Sequence, residues 1–152
     1  MKSWSKEIVI HASIEKIWKL FDGNVEEMQK IMPQVVSHEP LKLTSNKVGS
    51  VYLQKYREGK RIQEYEVKTL EYENECDYKK LTIGFNLAQW FNISAQYELE
   101  KIDDQKTLFK YKTTNQPLKW FLKPLVKFAS DKPVIQFMGR VKKVAEADLK
   151  DR

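Results

Sequence analysis

The sequence predicts a single α+β domain in which an antiparallel sheet is covered by a long C-terminal helix. Strand-like patterns fill the middle of the chain, from Val35 to Thr114, whereas helical periodicity dominates after Pro117. The 152 residues fit one ordinary domain, and no repeat or linker divides residues 1–152. A hydrophobic fraction of 41% and a charged fraction of 32% allow a buried core beneath a solvated surface.

The N-terminal region predicts one strand followed by two short helices. The run from Glu7 to His11 is rich in β-branched residues and predicts the strand. Ser13 occupies an N-cap position, and Asn24 caps a second helix, with Glu27 three residues later as in a capping box. Pro33 ends that second helix. Apolar residues at helical spacing form the predicted buried sides of the two helices: Ile14, Ile17, Trp18, Phe21, Val25, Met28, Ile31 and Met32.

The dipeptide Glu58-Gly59 predicts a two-residue turn in a central hairpin. One face of this hairpin is rich in tyrosine, and the other contains Glu64 and Glu66. Because carboxylates are better left in water, we expect the tyrosine face to point inward, with Arg61 as its only charge. The predicted inward cross-strand pairs are Tyr56 with Arg61, Gln54 with Gln63, Tyr52 with Tyr65, and Ser50 with Val67.

The later strands alternate between one apolar and one polar side, as antiparallel sheets commonly do. Their predicted inner face consists of Leu81, Ile83, Phe85, Phe91, Ile93, Ala95, Tyr97, Leu99, Phe109 and Tyr111. Ser130 or Asp131 can cap a helix that restarts at Pro133, a favoured first-turn residue. The apolar face of this C-terminal helix consists of Val134, Phe137, Met138, Val141, Val144, Ala145 and Leu149.

Three stretches of the sequence carry a family resemblance. Ile8-Val9-Ile10-His11-Ala12-Ser13 leads into the helix 15–21, Met32-Pro33 closes the second helix, and Val48-Gly49-Ser50-Val51-Tyr52 opens a strand. With the order of elements, these stretches resemble the START-like (SRPBCC) superfamily, in particular its polyketide cyclase/dehydrase-type and coenzyme Q-binding-type branches. The resemblance implies a helix-grip fold, in which a curved sheet grips the last helix and encloses an apolar cavity. Members include carriers, cyclases, hydrolase-like proteins and chaperone-interacting domains, so no particular reaction is implied.

Several classes of functional site are excluded by residue type and spacing. His11 and His38 are the only histidines and Cys76 is the only cysteine, and none has the spacing of metal ligands. The five glycines form neither a dinucleotide-binding nor a phosphate-binding loop, and no nucleophile elbow is present. No RNA-binding motif accompanies the basic charge. We therefore predict no metal, no cofactor and no nucleic-acid partner.

The predicted inner face combines aromatic, amide and hydroxyl groups, which is typical of a mostly apolar pocket with a few orienting polar groups. The alternative for each tyrosine is a core aromatic whose hydroxyl reaches the rim or a buried partner. Methionines on the helices either pack against a ligand or fill gaps in the core. The predicted ligand-binding residues are Tyr52, Gln54, Tyr56, Gln63, Tyr65, Phe85, Phe91, Ile93, Tyr97, Tyr111, Met28, Met32 and Met138.

These features favour a non-enzymatic protein that binds a hydrophobic small molecule. A lipid, an isoprenoid quinone or a polyketide-like aromatic would suit the cavity, and the protein would act as a carrier or sensor. A cyclase- or dehydratase-type enzyme is the alternative, and a protein-interaction module is a third. No catalytic residue is predicted, because the predicted register directs no carboxylate into the cavity.

The C-terminal segment predicts a transient contact with anionic membranes. The net charge is +6, and nine basic and four acidic side chains lie between Asn115 and Arg152. Lys119, Lys123 and Lys127 are four residues apart and form one helical stripe beside Trp120, which suits a lipid headgroup interface. The alternative is an ordinary solvated helix face. A cytoplasmic location is expected, because no apolar leader and no apolar run of ~20 residues is present.

Overall fold

The computed structural model describes residues 2–87, 89–119 and 130–147. They form a seven-stranded antiparallel sheet in the order β1-β7-β6-β5-β4-β3-β2. The predicted order of one strand, two short helices, a run of strands and a C-terminal helix is confirmed. The elements are β1 (Lys2–Ile10), α1 (Ile14–Asp22), α2 (Val25–Gln29), β2 (Val35–Lys42), β3 (Val51–Glu58), β4 (Arg61–Asn74), β5 (Tyr78–Leu87), β6 (Phe91–Asp103), β7 (Lys106–Pro117) and α3 (Lys132–Ala147).

Both predicted N-caps begin the first two helices. The Ser13 side-chain oxygen accepts a hydrogen bond from the Lys16 amide at 3.2 Å, and that of Asn24 accepts from the Glu27 amide at 2.9 Å. Each bond satisfies one of the amides that lack a partner inside the helix. α2 is shorter than predicted, because it ends at Gln29 and the chain continues to Pro33 as a turn.

The predicted register of the central hairpin is wrong by two residues. The loop is Gly59-Lys60, and Glu58 belongs to β3, where it lies opposite Arg61. Gly59 has a φ of 60°, a left-handed conformation that glycine adopts readily at the first loop position of a type II′ turn. The observed inward pairs, which replace the predicted ones, are Tyr52 with Val67, Gln54 with Tyr65, and Tyr56 with Gln63.

The two-residue error leaves the predicted faces of the hairpin unchanged, because side chains alternate with a period of two. Glu64 and Glu66 are exposed, whereas Val67 is buried. The observed register adds a second charged residue, Glu58, to the inner face. The sequence predicted Arg61 as the only charged residue there.

A β-bulge in β4 changes which residues of that strand point inward. Thr69 pairs with Ile83, but Glu71 then pairs with Thr82, so Leu70 is the extra residue. Before the bulge, Val67 and Thr69 are buried on the inner face. After it, the inward residue is Tyr72, which packs against the core. The bulge thereby turns a tyrosine toward the helices that precede β2.

The predicted apolar face of α3 covers the inner face of the sheet. Val134, Met138, Val141 and Ala145 are buried, whereas Ile135 on the other side of the helix is exposed. Leu149, which was predicted on the same apolar face, lies outside the described residues. None of the helices in the described ranges is long and apolar enough to span a membrane.

Candidate functional site

A cavity of about 400 Å³ lies between the inner face of the sheet and α3. Its wall is made by alternate residues of β3 to β7, together with Phe137 and Arg140 from α3 and Met32 and Gln34 from the segment after α2. The volume lies within the range of about 300–1,000 Å³ that is typical of small-molecule sites. The apolar part of the lining consists of Met32, Val67, Ile83, Phe85, Leu87, Ile93, Ala95, Tyr97, Tyr111 and Phe137.

The mouth of this larger cavity carries the polar and charged groups. Gln34, Glu58 and Arg140 line it and are exposed, and Tyr65 is half-buried beside them. The Tyr65 hydroxyl donates to the Glu58 carboxylate at 3.3 Å. Burial and this carboxylate both raise the pKa of Tyr65, so the phenol keeps its proton. Arg140 donates to the Ile31 carbonyl at 3.1 Å, which holds the guanidinium at the rim and ties α3 to the end of the α2 region.

Two parallel tyrosines form the inner wall of the larger cavity. Tyr97 and Tyr111 are cross-strand neighbours, and their ring centroids lie 5.4 Å apart with an interplanar angle of 2°. Burial raises the pKa of Tyr111 to about 12, and burial, followed by the nearby Tyr111, raises the pKa of Tyr97 well above its ordinary value. Both phenols are therefore neutral donors. Within the described ranges, neither hydroxyl makes a hydrogen bond to a protein group.

A smaller cavity of about 110 Å³ adjoins the larger one. It lies between the ends of α1 and α2 and the middle of the sheet. Five residues line both cavities, so the two spaces are adjacent: Met32, Gln54, Val67, Ile83 and Tyr97. The residues that line only the smaller cavity are more polar, and they include Asp22, His38, Lys47, Tyr52, Thr69 and Tyr72.

His38 is held in a fixed orientation on the wall of the smaller cavity. Its ring stacks on Tyr52, with centroids 4.5 Å apart and planes inclined by 14°. Its Nδ1 lies 3.0 Å from Gln54 Oε1. Because an amide oxygen only accepts, Nδ1 carries the proton. Burial lowers the pKa of His38, against a smaller opposing effect of the Gln54 hydrogen bond, so the imidazole is neutral at pH 7.

Tyr72 and Asp22 form a second hydrogen-bonded pair on the same wall. The Tyr72 hydroxyl donates to Asp22 Oδ2 at 2.6 Å, a short charge-assisted contact. Burial, followed by this contact with Asp22, raises the pKa of Tyr72 to about 12. The pair therefore presents a neutral phenol and a carboxylate that share one proton, which Tyr72 holds.

The structure brings most of the predicted ligand-binding residues to one of the two cavities. The larger cavity is lined by Gln54, Tyr56, Tyr65, Phe85, Ile93, Tyr97, Tyr111 and Met32, and the smaller one by Tyr52 and Met28 as well. Three predicted residues line neither cavity. Gln63 and Phe91 are half-buried on the strands, and Met138 is a buried core residue.

Of the residues predicted to touch membranes, Lys119 is exposed just after β7, whereas Trp120, Lys123 and Lys127 lie outside the described residues. In the described ranges, no group of three or more histidine, cysteine or carboxylate side chains could hold a metal ion. Cys76 is exposed.

The arrangement of sheet, helix and cavity is similar to that of several solved structures. Norcoclaurine synthase from Thalictrum flavum, in complex with dopamine and hydroxybenzaldehyde, gives a TM-score of 0.63 at 18% identity and covers 99% of this chain and 88% of its own. Major latex-like protein 151 from Panax ginseng gives 0.69 at 16% identity, with 97% and 96% covered. The di-domain ARO/CYC BexL gives 0.75 at 10% identity, with 96% of this chain but 47% of BexL covered.

The chain has the START-like, helix-grip fold. No protein-family model and no curated protein sequence matches it. Because the identities to the solved structures are low, the likeness extends to the fold alone, and the functional argument rests on the cavity of this chain.

Within this helix-grip fold, sequence reasoning missed His38, Glu58, Phe137 and Arg140 as cavity residues. Phe137 was assigned to the apolar face of α3, and that face continues from the core onto the cavity wall. Glu58 was assigned to the turn. His38 and Arg140 had no sequence signal, because each reaches its cavity through contacts with residues distant in the chain: Gln54 for His38 and Ile31 for Arg140.

Proposed function

We propose that this protein binds a hydrophobic small molecule in the larger cavity. The observation that carries the proposal is a space of about 400 Å³ with an apolar interior and polar groups at its mouth. A ligand with an apolar body would replace water against Phe85, Ile93 and Phe137. Burial of apolar surface stabilises such a complex by roughly 25 cal/mol per Å² before the losses of motional freedom are counted.

The character of the wall favours a ligand with aromatic or isoprenoid parts. The parallel rings of Tyr97 and Tyr111 offer flat surfaces and two hydroxyl donors, and Phe137 lies 4.9 Å from Tyr111 by ring centroids. Norcoclaurine synthase, one of the structures with the same fold, holds two small aromatic molecules, dopamine and hydroxybenzaldehyde. This likeness supports an aromatic ligand without naming one.

Binding is favoured over catalysis by the charges on the wall. Among the described residues, Glu58 and Arg140 are the charged groups that line the larger cavity, and both are exposed at the mouth. An exposed charge at the mouth suits solubility and ligand entry, whereas acid–base catalysis needs an ionisable group beside the buried part of the ligand. We therefore propose a carrier or sensor role, with a cyclase- or dehydratase-type reaction as the alternative.

Native mass spectrometry of the protein purified from its own host tests this proposal. The variant Ala95→Leu adds three carbons to the cavity wall, whereas Gln96→Leu introduces the same side chain on the opposite face of β6. Thr113→Phe is a second cavity-filling variant if Ala95→Leu overfills the core. We expect a bound apolar molecule in the wild type and in Gln96→Leu, and its loss in the cavity-filling variants. A molecule that persists in those variants, or an empty wild type, contradicts the proposal.

A further inference from the structure

The smaller cavity differs from the larger one in size and chemistry. At about 110 Å³ it is below the range of about 300–1,000 Å³ that holds a whole ligand, but it can hold one end of a molecule. A hydrocarbon-lined space of about 150 Å³ accommodates benzene, so the smaller cavity admits little more than part of one ring and a substituent. Its wall carries an imidazole, an amide, a carboxylate and several hydroxyls.

Gln54 connects the two cavities. Its side chain lines both, and its amide oxygen accepts a hydrogen bond from His38 Nδ1. The two cavities are adjacent at Gln54 and at Tyr97, which also lines both, so a ligand that fills both would lie against these two side chains.

The contact with Gln54 determines what His38 can offer to such a ligand. Nδ1 is used as a donor, so in the neutral ring the lone pair is on Nε2. Within the described ranges, no protein group makes a hydrogen bond to Nε2. The stack on Tyr52 keeps the ring plane fixed, so this acceptor is held in place before a ligand arrives.

We propose that the smaller cavity is a polar subsite that binds a hydroxyl group at the end of an otherwise apolar ligand, with His38 Nε2 as the acceptor. The subsite rests on the proposed function, because the body of the ligand occupies the larger cavity. The ligand class is thereby narrowed to a phenol or alcohol carried by an apolar, ring-containing body.

Protonation of His38 removes the acceptor, so binding of the hydroxyl is pH-dependent. The titratable and charged groups that share the wall with His38 are Asp22, Lys47, Tyr52, Tyr72 and Tyr97, from α1, the β2–β3 loop, β3, β4 and β6. They are all retained in His38→Phe, so a difference between the pH profiles of the wild type and this variant isolates the histidine.

Two probes of equal shape separate the hydroxyl from the apolar body. 2-Naphthol and 2-methylnaphthalene differ by the exchange of a hydroxyl for a methyl group. His38→Phe keeps an aromatic ring against Tyr52 but removes both nitrogens, and His11→Phe is the matched control, because His11 is exposed and lines neither cavity. Affinities are measured by titration at pH 7.5 and at pH 5.5.

At pH 7.5 we expect His38→Phe to weaken 2-naphthol binding about 3- to 10-fold, as loss of one hydrogen bond does, and to leave 2-methylnaphthalene unchanged. His11→Phe changes neither affinity. As the pH falls below 7.5 through the titration of His38, the wild type loses affinity for 2-naphthol, and His38→Phe does not. In the wild-type protein, the ¹⁵N resonance of His38 Nε2 moves with 2-naphthol and not with 2-methylnaphthalene, a readout that needs no substitution.

Four outcomes overturn the subsite alone, and a fifth overturns the proposed function as well. Unchanged 2-naphthol affinity in His38→Phe removes the acceptor role, and an equal loss for both probes shows that His38 supports the cavity wall instead. An Nε2 resonance that does not shift on addition of 2-naphthol also removes the acceptor role. If the wild type binds 2-methylnaphthalene but gains nothing from the hydroxyl, the subsite fails while the proposed function stands. If the wild type binds neither probe, the proposed function fails with it.

Discussion

Tyr97 and Tyr111 lie directly opposite each other on β6 and β7, with parallel rings 5.4 Å apart and hydroxyls that no described protein group bonds. Both residues line the larger cavity, and neither hydroxyl oxygen is fully buried, so a molecule in the cavity can reach them. The two hydroxyls are therefore available to make hydrogen bonds to a ligand in the cavity.

The first prediction concerns the stability of Tyr97→Phe. Because the lost hydroxyl has no protein partner, we expect the free energy of unfolding to change by less than about 1 kcal/mol or to rise. Tyr72→Phe is the matched control, since its hydroxyl donates to Asp22 at 2.6 Å and its loss should cost about 1–2 kcal/mol. Urea unfolding of both variants checks this, and a larger loss for Tyr97→Phe than for Tyr72→Phe would reveal a bond that the structure lacks.

The second prediction concerns His38 and acid. The folded state holds the pKa of His38 below its unfolded value near 6.5, so the unfolded chain binds more protons in that window. Stability from this residue is complete above pH 6.5 and is lost as pH falls through the window toward the folded pKa. Thermal unfolding from pH 7.5 to 5 should therefore show a steeper fall in Tm for the wild type than for His38→Phe. Parallel curves would mean that His38 titrates alike in both states.

The third prediction concerns the β3–β4 turn. Gly59 has a φ of 60°, and a Cβ there would meet no atom within 4 Å, so the cost of Gly59→Ala is conformational alone. We expect a loss of about 1 kcal/mol in the free energy of unfolding. Lys60→Ala, at the second loop position with no positive φ, should be nearly neutral. Equal effects of the two substitutions would contradict the observed turn.

This hairpin illustrates what the sequence could and could not predict. Glycine marks a turn but does not tell whether it is the first or second loop residue, and the wrong choice moved the register by two. The predicted inward and outward faces were still correct, because side chains alternate along a strand with a period of two residues, which equals the register error. The bulge at Leu70 left no such mark, since the residues around it are all compatible with a strand.

The cavity residues that could be predicted are those whose positions follow from a local sequence pattern. Tyr56, Phe85, Ile93 and Tyr111 reach the larger cavity by alternation along single strands, which a sequence displays. His38 lies on the edge strand β2, where polar residues and Pro40 hide any alternation. His38 lies on the wall of the smaller cavity because it contacts Tyr52 and Gln54 of β3, and the sequence around His38 does not predict these contacts.

The fourth prediction is that the segment beginning at Lys119 binds anionic membranes. Replacing Lys119, Lys123 and Lys127 with glutamine should reduce sedimentation with anionic vesicles, because each lysine near such a surface contributes about 1 kcal/mol. Lys106, Lys110 and Lys112 on β7 provide a control set for the same change of charge. Neutral vesicles and high salt should abolish the difference. Equal sedimentation of the two triple variants would leave a general charge effect and no specific membrane contact.

The most direct test of the ligand-binding cavity is a titration of the wild-type protein with 2-naphthol, followed by the NMR signals of isoleucine methyl groups. Ile83 and Ile93 line the larger cavity, whereas Ile62 and Ile102 are exposed at 52% and 51% and serve as internal controls. We predict saturable shifts at Ile83 and Ile93, with Ile62 and Ile102 unmoved. No saturable shift at the two cavity residues, or equal shifts at all four, would contradict a ligand-binding cavity.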